Sequence, residues 1–152
     1  MKQVEIYTDG ACLGNPGPGG YGAILICGDR RKELSGGFRL TTNNRMELMG
    51  AIAGLQALNY PCQVNLYSDS KYLVDAINLG WLKQWQAKGK LHKRPNHDLW
   101  LKLLELCDRH QVNFIWIKGH GGHPENERCD FLAVQAYQQP NLSIDLGYEN
   151  QD

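Results

Sequence analysis

The sequence predicts an α/β domain: a mixed sheet of about five strands, an antiparallel meander followed by parallel strands, flanked by helices. Three observations point there. Period-two alternation broken by turn residues fills the stretch before Thr41, a helical period takes over at Asn44, and strand-like and helical stretches alternate after Pro61.

At the start of the chain, Val4 to Asp9 alternates Val4, Ile6 and Thr8 with Glu5, Tyr7 and Asp9, which suits a strand. Gly10 to Gly22 holds six of the seventeen glycines together with Pro16 and Pro18, so a turn-rich loop is expected. Tyr21 to Cys27 reads as a second strand, Gly28-Asp29 as a turn and Lys32 to Leu40 as a third strand, which completes the meander.

From Asn44, Leu48, Ile52, Leu55 and Asn59 mark one helical stripe, and Glu47, Gly50, Ala51, Gly54 and Leu58 mark the next. The second stripe is mostly small, so this helix is expected to lie close against the sheet. Pro61 ends it, and Val64 to Asp69 is the next strand, which makes a parallel crossover. Helices are predicted from Ser70 to Leu79, from Trp81 to Lys88, and from Asn96 or His97 with Leu99, Leu103, Leu106 and Cys107 facing inward. Val112 to Ile117 is the last strand, and Pro124 in a first turn opens a last helix to Tyr137. The tail after Pro140 carries Asp145, Glu149 and Asp152 and no base, so residues 142–152 are expected to be loosely held.

A length of 152 residues matches one domain, expected to span residues 1–152. With 42% apolar and 21% charged residues, the composition excludes a disordered chain. Sixteen bases balance sixteen acids, so any polyanionic partner must be read from where the charges sit. The longest apolar run, Ala23 to Cys27, is far too short to span a membrane, and the start does not read as a signal peptide. Cys12, Cys27, Cys62, Cys107 and Cys129 form no paired close spacing, which suits reduced thiols in the cytoplasm.

Several motifs carry chemistry. Gly17 to Gly22 matches a dinucleotide fingerprint in letters, but it leads into a strand where that fingerprint opens a helix, and there is no P-loop. The informative pair is Ile6-Tyr7-Thr8-Asp9-Gly10 and Leu66-Tyr67-Ser68-Asp69-Ser70, each read as a strand ending in a hydroxyl residue followed by Asp. On parallel neighbours the two carboxylates stand about 4.8 Å apart. Anions that close repel by about 3 kcal/mol at an effective dielectric of 20, so the pair calls for a cation. The alternative is that each Asp merely caps the turn or helix after it.

Glu47, three residues after Asn44, has the spacing of a capping partner, yet it lies on the small, sheet-facing stripe. Asp130, alone in a helix, has the bland reading of a solvated charge. Four acidic oxygen donors together suit Mg²⁺ or Mn²⁺. His120, His123 and Cys129 raise zinc, but no convincing fourth ligand is nearby. His120, set between glycines, suits proton movement. Lys83, Lys88, Lys90, Lys93 and Arg94 follow one another with no acid between, just after Trp81 and Trp85, a pattern for contacting a phosphate backbone.

Together these residues resemble the bacterial type 1 ribonuclease H. The matching pieces are Tyr7 to Gly20, Thr41 to Leu48, Ser68-Asp69-Ser70 and Lys118 to Asp130, in the family's order and over nearly the whole chain. The resemblance implies the ribonuclease H-like fold and endonucleolytic cleavage of the RNA strand of an RNA–DNA hybrid. It also implies two Mg²⁺ ions and products with 5′-phosphate and 3′-hydroxyl ends. The family's four metal-binding carboxylates fall on Asp9, Glu47, Asp69 and Asp130, with Asp9 the candidate to bridge both ions, and its loop histidine falls on His120. Cys12, Asn15, Asn43 and Asn44 match its minor-groove contacts, Thr42 lies near its DNA-phosphate pocket, and Trp81 to Arg94 correspond to its basic protrusion. The expected protein is a cytoplasmic monomer with a hybrid as partner and no membrane association. Two features depart from the family's pattern: the protrusion is shorter and less basic, and Lys71 stands where a Gln is common. The readings from other classes are a non-catalytic hybrid-binding module and another nuclease of the same fold, such as one acting on DNA junctions.

Overall fold

Alternation in the opening residues builds β1 (Lys2–Cys12), β2 (Gly17–Cys27) and β3 (Arg30–Thr41), an antiparallel meander in the computed structural model, which describes residues 1–150. The chain continues through α1 (Asn43–Gln56), β4 (Cys62–Ser68), α2 (Lys71–Asn78), α3 (Trp81–Ala87), a 3₁₀ turn (Leu91–Lys93), α4 (His97–Arg109), β5 (Gln111–Trp116), α5 (Pro124–Tyr137) and a last short turn, α6 (Leu146–Glu149). The five strands are ordered β3-β2-β1-β4-β5, with β4 parallel to both β1 and β5. The five-stranded mixed sheet predicted from the sequence is present.

Packing explains the order. One face of the sheet, with Ile6, Val64 and Leu66, is covered by Leu48, Leu55, Leu73, Trp100 and Leu103 of α1, α2 and α4, all essentially fully buried. Each such side chain contributes about 1.5–3 kcal/mol of burial. On the other face α5 lays Cys129 and Leu132 against Ile24, with Tyr7 alongside. Trp100, absent from the predicted inward stripe of α4, is its bulkiest buried residue, while Leu99 and Cys107 are only partly buried.

Two expectations are corrected. The glycine-rich stretch is mostly strand: β1 runs on to Cys12 and β2 begins at Gly17, leaving only residues 13–16 as the connection. These glycines serve close packing. A Cβ on Gly20 would run into the Ala133 carbonyl and one on Gly22 into the Cys129 carbonyl, both of α5, so only glycine lets that helix lie against β2.

The tail is docked rather than loosely held. Ser143 exchanges backbone hydrogen bonds with the β3 edge, and Asp145 accepts from the Thr41 hydroxyl at 2.7 Å and from Arg45 at 2.8 Å. Arg45 also donates to both oxygens of Asp98, at 2.9 and 2.7 Å. Burial opposes the Arg45 charge, but the Asp98 and Asp145 carboxylates outweigh it and hold the guanidinium above its ordinary pKa. Asp145 finds a buried base on α1 and Glu149 an exposed one, Arg39, on β3, pairings invisible in the tail's own composition. Residues 151–152 of the predicted tail lie outside the described residues.

Candidate active site

The register of two parallel strands brings the first two carboxylates together. Ile6 pairs with Leu66 and Tyr7 with Tyr67, whose rings stack at 4.6 Å, so Asp9 and Asp69 follow in step. Their settings differ from the expected pair of strand ends. Asp9 lies inside β1, which continues pairing with β2 (Asp9 opposite Gly22), whereas β4 stops at Ser68 and Asp69 begins the turn. That turn is fixed without Asp69: the Ser68 hydroxyl accepts from the Ser70 N–H at 3.0 Å, and the Ser70 hydroxyl caps α2 by accepting from Leu73 at 3.2 Å.

Glu47 is likewise released from capping. Thr42 is the cap of α1, accepting from the Arg45 N–H at 3.2 Å, and Glu47 lies more than a turn inside the helix. The small stripe brings the helix close, with Gly54 against Ile6 and Gly50 against Thr8. Glu47 packs over Gly10, where any Cβ would meet the Glu47 backbone nitrogen. Asp9, Glu47 and Asp69 each place an oxygen within 4.8 Å of the others.

Electrostatics mark this cluster as unbalanced. Asp9 is 6% and Glu47 4% exposed, and the Oε1 of Glu47 is buried with no hydrogen-bond partner. Burial, with the charges of Asp69 and Asp130 adding to it, leaves the Asp9 carboxyl pushed up to about 7, although it accepts from the Gly10 N–H at 2.9 Å. Burial and then the Asp9 charge hold Glu47 well above the usual carboxylate range. An orphaned buried oxygen among three hard anionic donors fits a hard divalent cation such as Mg²⁺ or Mn²⁺.

Asp130, half-buried on α5, lies outside that tight trio, though close enough for its charge to act on Asp9. His120 is exposed in the loop before α5 at φ 56°, a left-handed conformation that a histidine adopts only when the loop demands it. The zinc alternative fails: Cys129 is buried with its thiol donating to the Tyr7 carbonyl at 3.2 Å, whereas His120 and His123 are exposed.

Two neighbours were missed by sequence reasoning. Asn126, 3% exposed, brings its amide to 3.5 Å from the Asp69 Oδ2, and a Cβ on Gly119 would lie 2.7 Å from that same oxygen. The i, i+4 spacing of Asn126 and Asp130 on one helix face was the available signal for the first.

The predicted contact residues fall in two groups. At the β1–β2 connection the Asn15 carboxamide oxygen accepts from the Asn43 N–H at 3.1 Å, and the Cys12 thiol points at the Gly17 and Thr41 carbonyls, each at 3.5 Å. Thr42 stands beside them, and Asn43 and Asn44 are exposed on the first turn of α1. In the second group Trp81 is 44% exposed and Trp85 half-buried under the Arg94 guanidinium, 4.1 Å from its ring centre. Lys88, Lys90 and Lys93 are exposed around the buried anchor Leu91. A cavity of about 510 Å³ lies at the opposite end of the sheet, between Lys2, Arg30, Tyr60 and Cys62, away from the carboxylates.

A family model for RNase H matches residues 1–138. The chain belongs to the RNase H family. It is 62% identical over 153 aligned positions to the "Ribonuclease H" of Rippkaea orientalis, covering 98% of this chain and 94% of that one. It is also 58% identical to the "Ribonuclease HI" of Synechocystis, over 97% of this chain and 95% of that one. Among solved structures, LC9-RNase H1, described as a type 1 RNase H with the type 2 active-site motif, superposes with a TM-score of 0.82 at 31% identity, covering 99% of this chain and 80% of that one. LC11-RNase H1, solved in complex with an RNA/DNA hybrid, superposes with a TM-score of 0.68 at 25% identity, over 89% and 96% of the two chains. As a member of the RNase H family the chain is a hydrolase, a ribonuclease H in kind and in fold.

Proposed function

We propose that the chain is a single-domain endonuclease that cuts the RNA strand of RNA–DNA hybrids, leaving 5′-phosphate and 3′-hydroxyl ends. The observation that carries this reading is the trio of Asp9, Glu47 and Asp69 oxygens within 4.8 Å, with the buried Oε1 of Glu47 unpartnered. A pure phosphate binder gains nothing from three packed anions, which would repel its ligand.

Asp9, Glu47, Asp69 and Asp130 would hold two Mg²⁺ ions (or Mn²⁺), with Asp9, on the central strand, shared between them. Such ions would supply Lewis-acid chemistry there, making a water more acidic and favouring departure of a 3′-oxygen. The protein's own groups set the rest. Asn126 orients Asp69 from α5, and Gly119 lets the following loop pass against that carboxylate. His120, carried past the site by that loop, takes a proton from water or gives one to product. Cys12, Asn15, Asn43 and Asn44 meet the minor groove, where 2′-hydroxyls distinguish RNA from DNA, and Thr42 serves a DNA phosphate beside them. Trp81, Trp85, Lys88, Lys90, Lys93 and Arg94 grip the backbone further along.

Cleavage of a hybrid, a duplex DNA and a duplex RNA of one sequence, in Mg²⁺, tests this directly. Cutting confined to the RNA of the hybrid is expected. Equal cutting of duplex DNA, or no cutting of any of the three, contradicts it.

A further inference from the structure

We propose that Lys71, held on the face of Trp116, binds a phosphate of the cleaved strand next to the Asp69 carboxylate, and that Trp116 is a positioning residue joining this contact to Asp69 itself. This rests on the hybrid-cleavage reading above and adds a contact to it.

Lys71 opens α2, two residues beyond Asp69. A cation gains nothing from that place in the fold, because the first turn of a helix presents the positive end of the peptide dipoles. No carboxylate among the described residues is within ion-pair distance of it. Instead its ammonium sits 5.1 Å from the centre of the Trp116 ring. An indole face holds an exposed cation weakly, favouring one side-chain direction without neutralising the charge. The ammonium therefore stays available to an incoming anion.

Trp116 is tied to the carboxylates as well. It ends β5 opposite Ser68, and its indole N–H donates to the Asp69 carbonyl at 3.1 Å. The ring nonetheless remains 43% exposed, large for a tryptophan that serves only as core. One side chain thus fixes the backbone of a carboxylate in the trio by its edge and a free cation by its face. With Lys71 two residues beyond Asp69 and both tied to Trp116, a strand whose cleaved phosphate lies at Asp69 would bring a neighbouring phosphate toward this pair. An amide at position 71 would offer a hydrogen bond there, whereas lysine adds a charge and with it salt dependence.

The test compares wild type with Lys71→Gln, Lys71→Arg and Trp116→Phe. Hybrid affinity is followed by fluorescence anisotropy in EDTA across a salt series, and Mg²⁺ binding is followed by calorimetry. Lys71→Gln is expected to weaken hybrid binding about two- to fivefold and to lower the salt slope by about one, with Lys71→Arg restoring both. Trp116→Phe keeps a ring under the cation and removes the N–H, so it is expected to weaken Mg²⁺ binding several-fold while changing the salt slope little. Unchanged salt slope in Lys71→Gln overturns the phosphate contact, and unchanged Mg²⁺ affinity in Trp116→Phe overturns the positioning role. Cleavage of the hybrid by wild type in the same preparation separates either result from failure of the hybrid reading.

Discussion

Asp9 carries an electrostatic burden that the rest of the fold does not relieve. Its carboxyl is pushed up to about 7, chiefly by burial, so its ionised form is disfavoured in the folded protein relative to the unfolded chain. A carboxyl raised in this way adds stability below its unfolded pKa of about 4, and that stability is lost as pH rises through 7. Asp9→Asn removes the effect. The variant is therefore expected to melt progressively higher than metal-free wild type as pH rises from 4 to 8, and added Mg²⁺ should close the gap by raising wild type alone. Thermal melts in EDTA and in Mg²⁺ across that range check this, and a gap independent of pH contradicts the burial account. Reading a difference between two proteins matters here, since Glu33 and Asp98, held low by Arg128 and Arg45 respectively, bend both curves the opposite way at acid pH.

The residues of this cluster were readable in the sequence to the extent that local pattern encodes them. The repeated hydroxyl–Asp pair predicted Asp9 and Asp69 on parallel neighbours, and the small stripe predicted that Glu47 faces the sheet. Asn126 and Gly119 were harder to read. Each matters through one contact with Asp69, made from a segment far along the chain; the i, i+4 spacing to Asp130 was a signal for Asn126, whereas a Gly in a loop has no local peculiarity to announce it.

Among the elements, the glycine run of β2 and the tail show what local propensity misses. Six glycines with two prolines read as loop because glycine is the ordinary residue of turns. In β2 the pressure comes instead from the backbone of α5, which lies too near for a Cβ at Gly20 or Gly22. The tail read as loose because its acids had no base nearby in sequence; the base for Asp145 is Arg45, a hundred residues earlier, with the Thr41 hydroxyl beside it completing the socket, and the base for Glu149 is Arg39. Asp145→Ala leaves that buried guanidinium half-paired, held by the more exposed Asp98 and a longer hydrogen bond to the Asn96 Oδ1 at 3.3 Å. A loss of about 3 kcal/mol or more is expected, read as a lowered urea midpoint with unchanged slope. A loss below about 0.5 kcal/mol would mean the tail is as loosely held as its composition suggests.

For the molecule as a whole, the topology does the arranging. A strand order of β3-β2-β1-β4-β5 puts Asp9 on the central strand, Asp69 just past the end of its parallel neighbour, Glu47 on the helix crossing one face and Asp130 on the helix crossing the other. Both faces of the sheet thus deliver acids to one end, and under the proposed function the duplex is assigned to the basic stretch from α3 to Arg94 and to the Asn-lined connection of β1 and β2. The measurement that bears on this arrangement is end-group analysis of a hybrid cut by wild type and by Asp9→Asn in Mg²⁺. Wild type should release RNA fragments with 5′-phosphate and 3′-hydroxyl ends, and Asp9→Asn should slow their release by more than about 100-fold while remaining folded. Fragments ending in a 2′,3′-cyclic phosphate, which form when the RNA's own 2′-hydroxyl attacks in place of water, or an Asp9→Asn rate within about tenfold of wild type, would contradict hydrolysis at a carboxylate-held metal site.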